Sequence, residues 1–256
     1  STTNGTISGE ERRAALRKAY ALSARLPDRE RLIIQNGYVG IIEKNPSRAA
    51  ELMEEYIRKF PHDKKTYQIL GFLYQQIGEF ERSLQTFQKG LQIDSLDKNL
   101  WNASAYALAG LNRGADAFAS LDRYLQLAPA EPNPYDSKGD VYMVLGQPDS
   151  AISWWKKALS FRSDFSSSGK IGFAYLLRSD YAGAEKYIRQ FAAAQGEQEK
   201  LILDMIPVFL DVHQGRLRLV FKRDLDLLHA HQAQKVQGGI IGDLTFLISL
   251  AEESGE

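Results

Sequence analysis

An all-α chain of stacked helix hairpins is the fold class this sequence predicts, and three observations predict it. Tyr67, Trp101 and Tyr135 stand 34 residues apart, and each opens a segment whose apolar residues recur at helical spacing. Small residues keep the same rhythm: Gly71 and Gly139 are separated by 68 positions, twice 34, as are Gly78 and Gly146. Prolines fall at Pro61 and Pro129, where a helix must stop because the ring removes a donor and clashes with the preceding turn. A two-helix unit buries its apolar side only against its neighbours, so such units are expected to pile into an α-solenoid. With 44% hydrophobic residues in 256, the chain has enough apolar surface for a continuous core.

The elements follow in order. Residues 1–8 are polar and read as a disordered or tag-like tail; a start at Ser1, in "STTNGTISGEE", suggests a domain cut from a longer protein. Residues 9–29 carry a helical pattern through Leu16, Tyr20 and Leu22 up to Pro27 and are expected to cap the first hairpin. Five repeats are expected over residues 30–194, the last shortened by one residue. First helices follow aromatic-x-x-apolar-small-x-x-aromatic: Tyr67, Leu70, Gly71, Tyr74; a degraded Trp101, Ser104, Ala105, Leu108; Tyr135, Lys138, Gly139, Tyr142. Second helices pair a small with a large residue: Ser83 with Phe87, Ala117 with Leu121, Ala151 with Trp155. Gly78, Asn112 and Gly146 suit the left-handed residue after a helix end, and Pro148 suits a first helical turn. Lys138 in an apolar slot and Ser95 in a proline slot depart from the pattern.

Residues 195–256 are expected to form a degenerate repeat and C-terminal helices, giving about twelve or thirteen helices in all. In "EKLILDMIPVFLDVHQ", Pro207 should kink or break the run. Leu217, Phe221, Leu225 and Leu228 then mark one face of a further helix, and Ile240, Ile241, Leu244, Phe246, Leu247, Ile248 and Leu250 crowd a last one. That final strip is expected either to fold back as a cap or to bury itself in a homodimer.

Period, anchors, small pair and closing proline together resemble the tetratricopeptide repeat, a helix–turn–helix unit of 34 residues. The resemblance implies a right-handed superhelix whose first helices line a concave groove, and a non-enzymatic scaffold that holds a peptide or protein segment there. Counting the opening aromatic as position 4, position 9 holds Tyr38, Phe72, Tyr106, Asp140 and Phe173, and position 5 adds Gln68, Asn102 and Asp136. Aromatic rings at one register offer broad apolar area, and amides beside them suit an extended backbone. The same rings could simply pack between neighbouring first helices. One subfamily clamps acidic chaperone tails with lysine, arginine and asparagine. Its positions here hold Ile34, Tyr38, Ile69, Asn99 and Ala103, which disfavours that partner. The stretch from Ala19 to Asp63 also resembles the junction before helical repeats in bacterial multidomain regulators. This gives the alternative of a module controlling an attached kinase, cyclase or winged-helix domain. A carrier of small hydrophobic ligands is a third reading of an aromatic groove.

Composition narrows the chemistry. Lysine plus arginine (32) balances aspartate plus glutamate (32), so no net field draws the molecule to nucleic acid or an anionic surface. Without cysteine there are no disulfides, thiolate metal sites or thiol nucleophiles. The cytoplasm is the expected compartment, and the periplasm is compatible. No run reaches the roughly 18 apolar residues of a membrane span, and no signal peptide opens the chain. His229 and His231, two apart on a helix, point to opposite sides and cannot chelate together. "QGGIIGD" lacks dinucleotide-loop spacing, and the serines of "RSDFSSSG" read as turn and cap residues. Glu54 and Glu55 with Arg58 and Lys59 read as surface ion pairs, and Arg216, Arg218, Lys222 and Arg223 as a solvated basic face. No catalytic residue, metal site or cofactor is expected.

Overall fold

The computed structural model describes residues 9–216 together with Val220, Lys222, Arg223, Asp226, Leu227 and His229. Among these residues there are twelve α-helices and no strand. After α1 (Gly9–Leu22) come five helix pairs: α2 (Asp28–Ile41) with α3 (Pro46–Lys59), α4 (Lys64–Gln76) with α5 (Phe80–Ile93), α6 (Lys98–Gly110) with α7 (Gly114–Leu127), α8 (Asn133–Val144) with α9 (Pro148–Phe161), and α10 (Ser167–Leu177) with α11 (Tyr181–Ala193). The last described helix is α12 (Glu199–His213). Two compact units divide the chain: Ser1–Pro129 with Val144–Gly146, and Ala130–Met143 with Gln147–Glu256.

The turn within each pair is one device used five times. Lys44, Asn112 and Ser179 have φ of 52°, 58° and 58°, and Gly78 and Gly146 have 78° and 72°. These positions are spaced by 34, 34, 34 and 33 residues, so the turns themselves carry the period and register the one-residue deletion. At four of them the amide just beyond reaches back to a carbonyl in the last turn of the first helix: Glu79 to Tyr74 at 2.8 Å, Arg113 to Leu108 at 2.8 Å, Gln147 to Tyr142 at 2.9 Å, Asp180 to Tyr175 at 3.0 Å; at Lys44 the bond, Asn45 to Val39 at 3.1 Å, runs one residue longer. A left-handed residue followed by this six-residue bond satisfies carbonyls that the helix end leaves open. Pro46 and Pro148 occupy first turns, where a missing N–H costs nothing, and Asn45 caps α3 by accepting from Arg48 N at 3.0 Å.

Between pairs the opening aromatic does more than fill space. Tyr67 Oη donates to Pro61 O at 2.8 Å, and Trp101 Nε1 donates to Ser95 O at 2.9 Å. Both bonds span six residues, so Ser95 serves in the proline slot because the donor needs only a carbonyl there. Within a pair, helix approach is set by glycine. A Cβ on Gly71 would lie 2.1 Å from the Phe87 ring, and one on Gly139 would lie 2.4 Å from Trp155. In the first unit Leu32, Met53, Tyr56, Leu70 and Tyr74 form a core cluster; in the second, Ile152, Trp155, Ile171 and Ala174 do.

Of the two alternatives at Pro207, a kink or a break, the break does not occur, since α12 runs through it. Its neighbours Ile206 and Val208 are buried, so packing of the apolar face holds the run across the missing donor. Lys138 is buried without disturbing its slot: its stem is covered and its ammonium sits 4.5 Å from the centre of the Trp154 ring. The expected helix through Leu217, Phe221, Leu225 and Leu228, and the terminal strip with its cap-or-dimer alternatives, lie outside the described residues.

Candidate functional site

In the first unit the expected site residues come from first helices α2, α4 and α6. Tyr38 on α2 stacks on Tyr20 of α1, with ring centres 3.8 Å apart and planes 12° from parallel. Phe72 on α4 meets Phe87 edge-on at 5.6 Å yet remains 40% exposed. Ile69, one turn earlier, is exposed to the same extent at 41%. Tyr106 on α6 is half-buried. Gln68 and Asn102, 34 residues apart and both half-buried, make no side-chain hydrogen bond among the described residues, and Asn102 Oδ1 is fully covered. Nearby, Gln75 Nε2 donates to Ala103 O at 3.2 Å and ties α4 to α6. A covered acceptor without a donor costs about 1–3 kcal/mol. This stretch therefore combines exposed apolar area with unspent hydrogen-bonding capacity.

The second unit treats the same registers differently. Asp136 on α8 is buried, and its carboxylate accepts from Ser167 Oγ at 2.5 Å and Lys170 Nζ at 2.6 Å. Asp140, one turn on, accepts from Lys170 Nζ at 2.7 Å and from Trp155 Nε1 at 3.0 Å. Burial pushes the Asp136 carboxyl above the usual carboxylate range. Burial alone would lower the Lys170 ammonium, but attraction to Asp136 and Asp140 outweighs it and leaves it raised. Phe173 on α10 is 52% exposed. Of the three residues expected here, the two acids thus bond within the chain and the phenyl ring faces solvent.

Several participants were not evident from sequence. Ser167, read as a turn or cap residue, instead bonds Asp136. Lys170 follows Asp136 by one repeat length, 34 residues, and that spacing was the available signal. Glu55 does pair with Lys59 at 2.9 Å, whereas Glu54 turns away to Tyr74 Oη at 2.5 Å and Arg82 Nη2 at 2.8 Å. Arg58 is therefore left without an ion pair or hydrogen bond among the described residues. Arg216 and Arg223 converge on the buried Asp211, the second at 2.7 Å, so part of the expected basic face is spent internally. Among the described residues no group of three or more potential ligands could hold a metal ion, and no helix is long and apolar enough to cross a membrane.

Comparison with known proteins agrees with this architecture. A tetratricopeptide-repeat model matches residues 65–95, which contain α4 and α5. Over 61 residues, 24% of this chain, the sequence is 36% identical to the peroxisomal targeting signal receptor of Candida glabrata. The chain spans only 10% of that receptor's length. Among solved structures, PilW, a widely conserved type IV pilus biogenesis factor, superposes with a TM-score of 0.55 at 15% identity, covering 83% of this chain and 92% of PilW. Pseudomonas aeruginosa PilF superposes with a TM-score of 0.52 at 18% identity, covering 88% of this chain and 98% of PilF. Residues 65–95 thus carry a tetratricopeptide repeat, and the described residues share the all-helical fold of PilW and PilF.

Proposed function

We propose that this chain is a non-enzymatic scaffold that holds an extended segment of a partner protein along the groove lined by its first helices, centred on α4 and α6. The observation that supports this reading most is the pair of unspent amides, Gln68 and Asn102, one repeat apart beside the exposed ring of Phe72. An extended backbone presents N–H and C=O groups that the Gln68 amide and the Asn102 Nδ2 can meet, while Ile69 and Phe72 supply apolar contact. Tyr106 extends the same surface. In the second unit, taken by itself, we assign the equivalent first-helix surface to Asp136 and Asp140, whose carboxylates Lys170 holds. Phe173 offers a further apolar contact on α10.

A photo-reactive phenylalanine in place of Phe72, introduced in the host cell, tests the reading. It should cross-link to a discrete partner, and the same group at the exposed second-helix position Gln88 should not. With that partner purified, Phe72→Ala should weaken binding by about 2 kcal/mol, as expected for an aromatic hot spot, and Gln68→Ala by about 1 kcal/mol. Unchanged affinity for both variants, with a cross-link no stronger than that at position 88, would rule the groove out.

A further inference from the structure

On the second-helix side of the first unit, α3, α4 and α5 enclose an open cavity of about 260 Å³. Its apolar lining comes from Ile57, Tyr67 and Leu70. One wall is a rigid polar cluster. Tyr74 Oη donates to Glu54 at 2.5 Å and accepts from Arg82 Nη2 at 2.8 Å, while the Arg82 guanidinium lies 4.2 Å from the Tyr74 ring centre and also bonds Glu79 at 2.6 Å. Glu54 and Glu79 both engage Arg82, so that wall keeps one net negative charge and no free cation.

The two remaining cations of the lining are different. Arg58 on α3 and Lys89 on α5 are exposed, and neither has an ion pair or hydrogen bond among the described residues. By contrast Lys59 meets Asp28 and Glu55, and Lys64 meets Asp94 and Asp97, while Arg48 and Lys65, whose side chains are also unpaired among the described residues, do not line the cavity. In a chain of zero formal charge, this cavity keeps two positive charges without counter-ions at the mouth of an apolar hollow.

We infer that the cavity is a second docking point, separate from the first-helix groove, for an acidic peptide segment that inserts one large aliphatic side chain between flanking carboxylates. The volume decides the size of the guest: drug-sized ligands occupy roughly 300–1,000 Å³, so this hollow suits a single side chain. The charge decides the flanks. Two cations on different helices match two carboxylates spaced along a peptide, whereas a nucleic acid track needs a longer run of cations to release enough counter-ions. Repulsion from Glu54 is reduced, because Arg82 and the Tyr74 hydroxyl both bond its Oε1.

A fluorescein-labelled peptide of sequence Glu-Glu-Leu-Asp-Glu, titrated with the full chain and read by anisotropy, tests this. Binding should weaken between about 50 mM and about 200 mM salt as screening grows. Arg58→Glu and Lys89→Glu should each weaken it by about fivefold or more with unchanged melting. Replacing the peptide's leucine by serine, or its acids by amides, should also lower affinity. The inference is overturned if the peptide does not bind, if both charge reversals leave affinity unchanged, or if the amide peptide binds equally well. Loss of binding on Phe72→Ala with none on Arg58→Glu would place the peptide in the first-helix groove instead and overturn the inference while leaving the groove intact. A single-stranded oligonucleotide that binds through the same two residues more tightly than the peptide would also overturn it.

Discussion

Gly71 and Gly139 have no side chain because the second helix of each pair delivers an aromatic ring to that spot. Phe87 and Trp155 are almost fully buried, so neither can retreat from an added methyl group. Gly71→Ala and Gly139→Ala are each expected to destabilise the fold by about 1–3 kcal/mol, measurable by urea unfolding. Gly139→Ala should fall at the upper end, since moving Trp155 also strains its Nε1 bonds to Asp136 O and Asp140. The opposite sign is expected at two turns. Lys44 and Ser179 hold the left-handed conformation with a Cβ in place, and Lys44→Gly or Ser179→Gly should raise stability by about 0.5–1 kcal/mol. A fall in either melting temperature would mean that the side chain contributes more than its backbone strain costs.

For whole elements, α12 and the α8–α10 contact carry the informative cases. Pro207 leaves the carbonyl one turn earlier without its helical donor, so Pro207→Ala should restore that bond and raise stability by about 1–3 kcal/mol, read by thermal unfolding. Lys170→Met would leave two carboxylates facing each other without their cation. A loss of about 2 kcal/mol is expected, below the 3–5 kcal/mol of a fully buried pair because a third of the Lys170 side chain meets solvent. Hydrogen exchange in α10 and α11 should accelerate ahead of the rest of that unit. These two elements also show what a sequence reveals. Hairpin order and the turns at Gly78, Asn112 and Gly146 were legible because each is a local rule repeated at a fixed period, whereas Lys44 and Ser179 were not, since neither residue type marks a left-handed position. Continuity of α12 was not, since a proline's local penalty was outweighed by burial of Ile206 and Val208. Nor was the pairing of Asp136 with Lys170, because position 5 names a register on a helix and says nothing about what the next helix brings to it.

Across the molecule, titration sets a window of stability. Burial raises the phenols of Tyr56, Tyr67 and Tyr74, and its two carboxylates raise the Lys170 ammonium. For tyrosine the folded state favours the neutral form, and for lysine the charged form. In both cases the unfolded chain releases its proton first as pH rises, near pH 10 on the ordinary scale, so stability present at neutral pH is lost above it. At the acid side Asp28, held down to about 2 by bonds from Lys59 and Arg31, contributes stability above the ordinary carboxylate value of about 3.9 and loses it as pH falls toward 2. Melting temperature should therefore fall beyond about pH 10; a midpoint still rising at about pH 10.5 would contradict this assignment. The turns hold one more consequence. A Cβ placed on Gly78 or Gly146 would meet nothing within 4 Å, so these reversals stand clear of the packed layers. Lengthening a free loop costs only about 0.6 kcal/mol per doubling. Gly78 and Gly146 are thus splice points, where a foreign domain can be grafted onto the array without renegotiating the core.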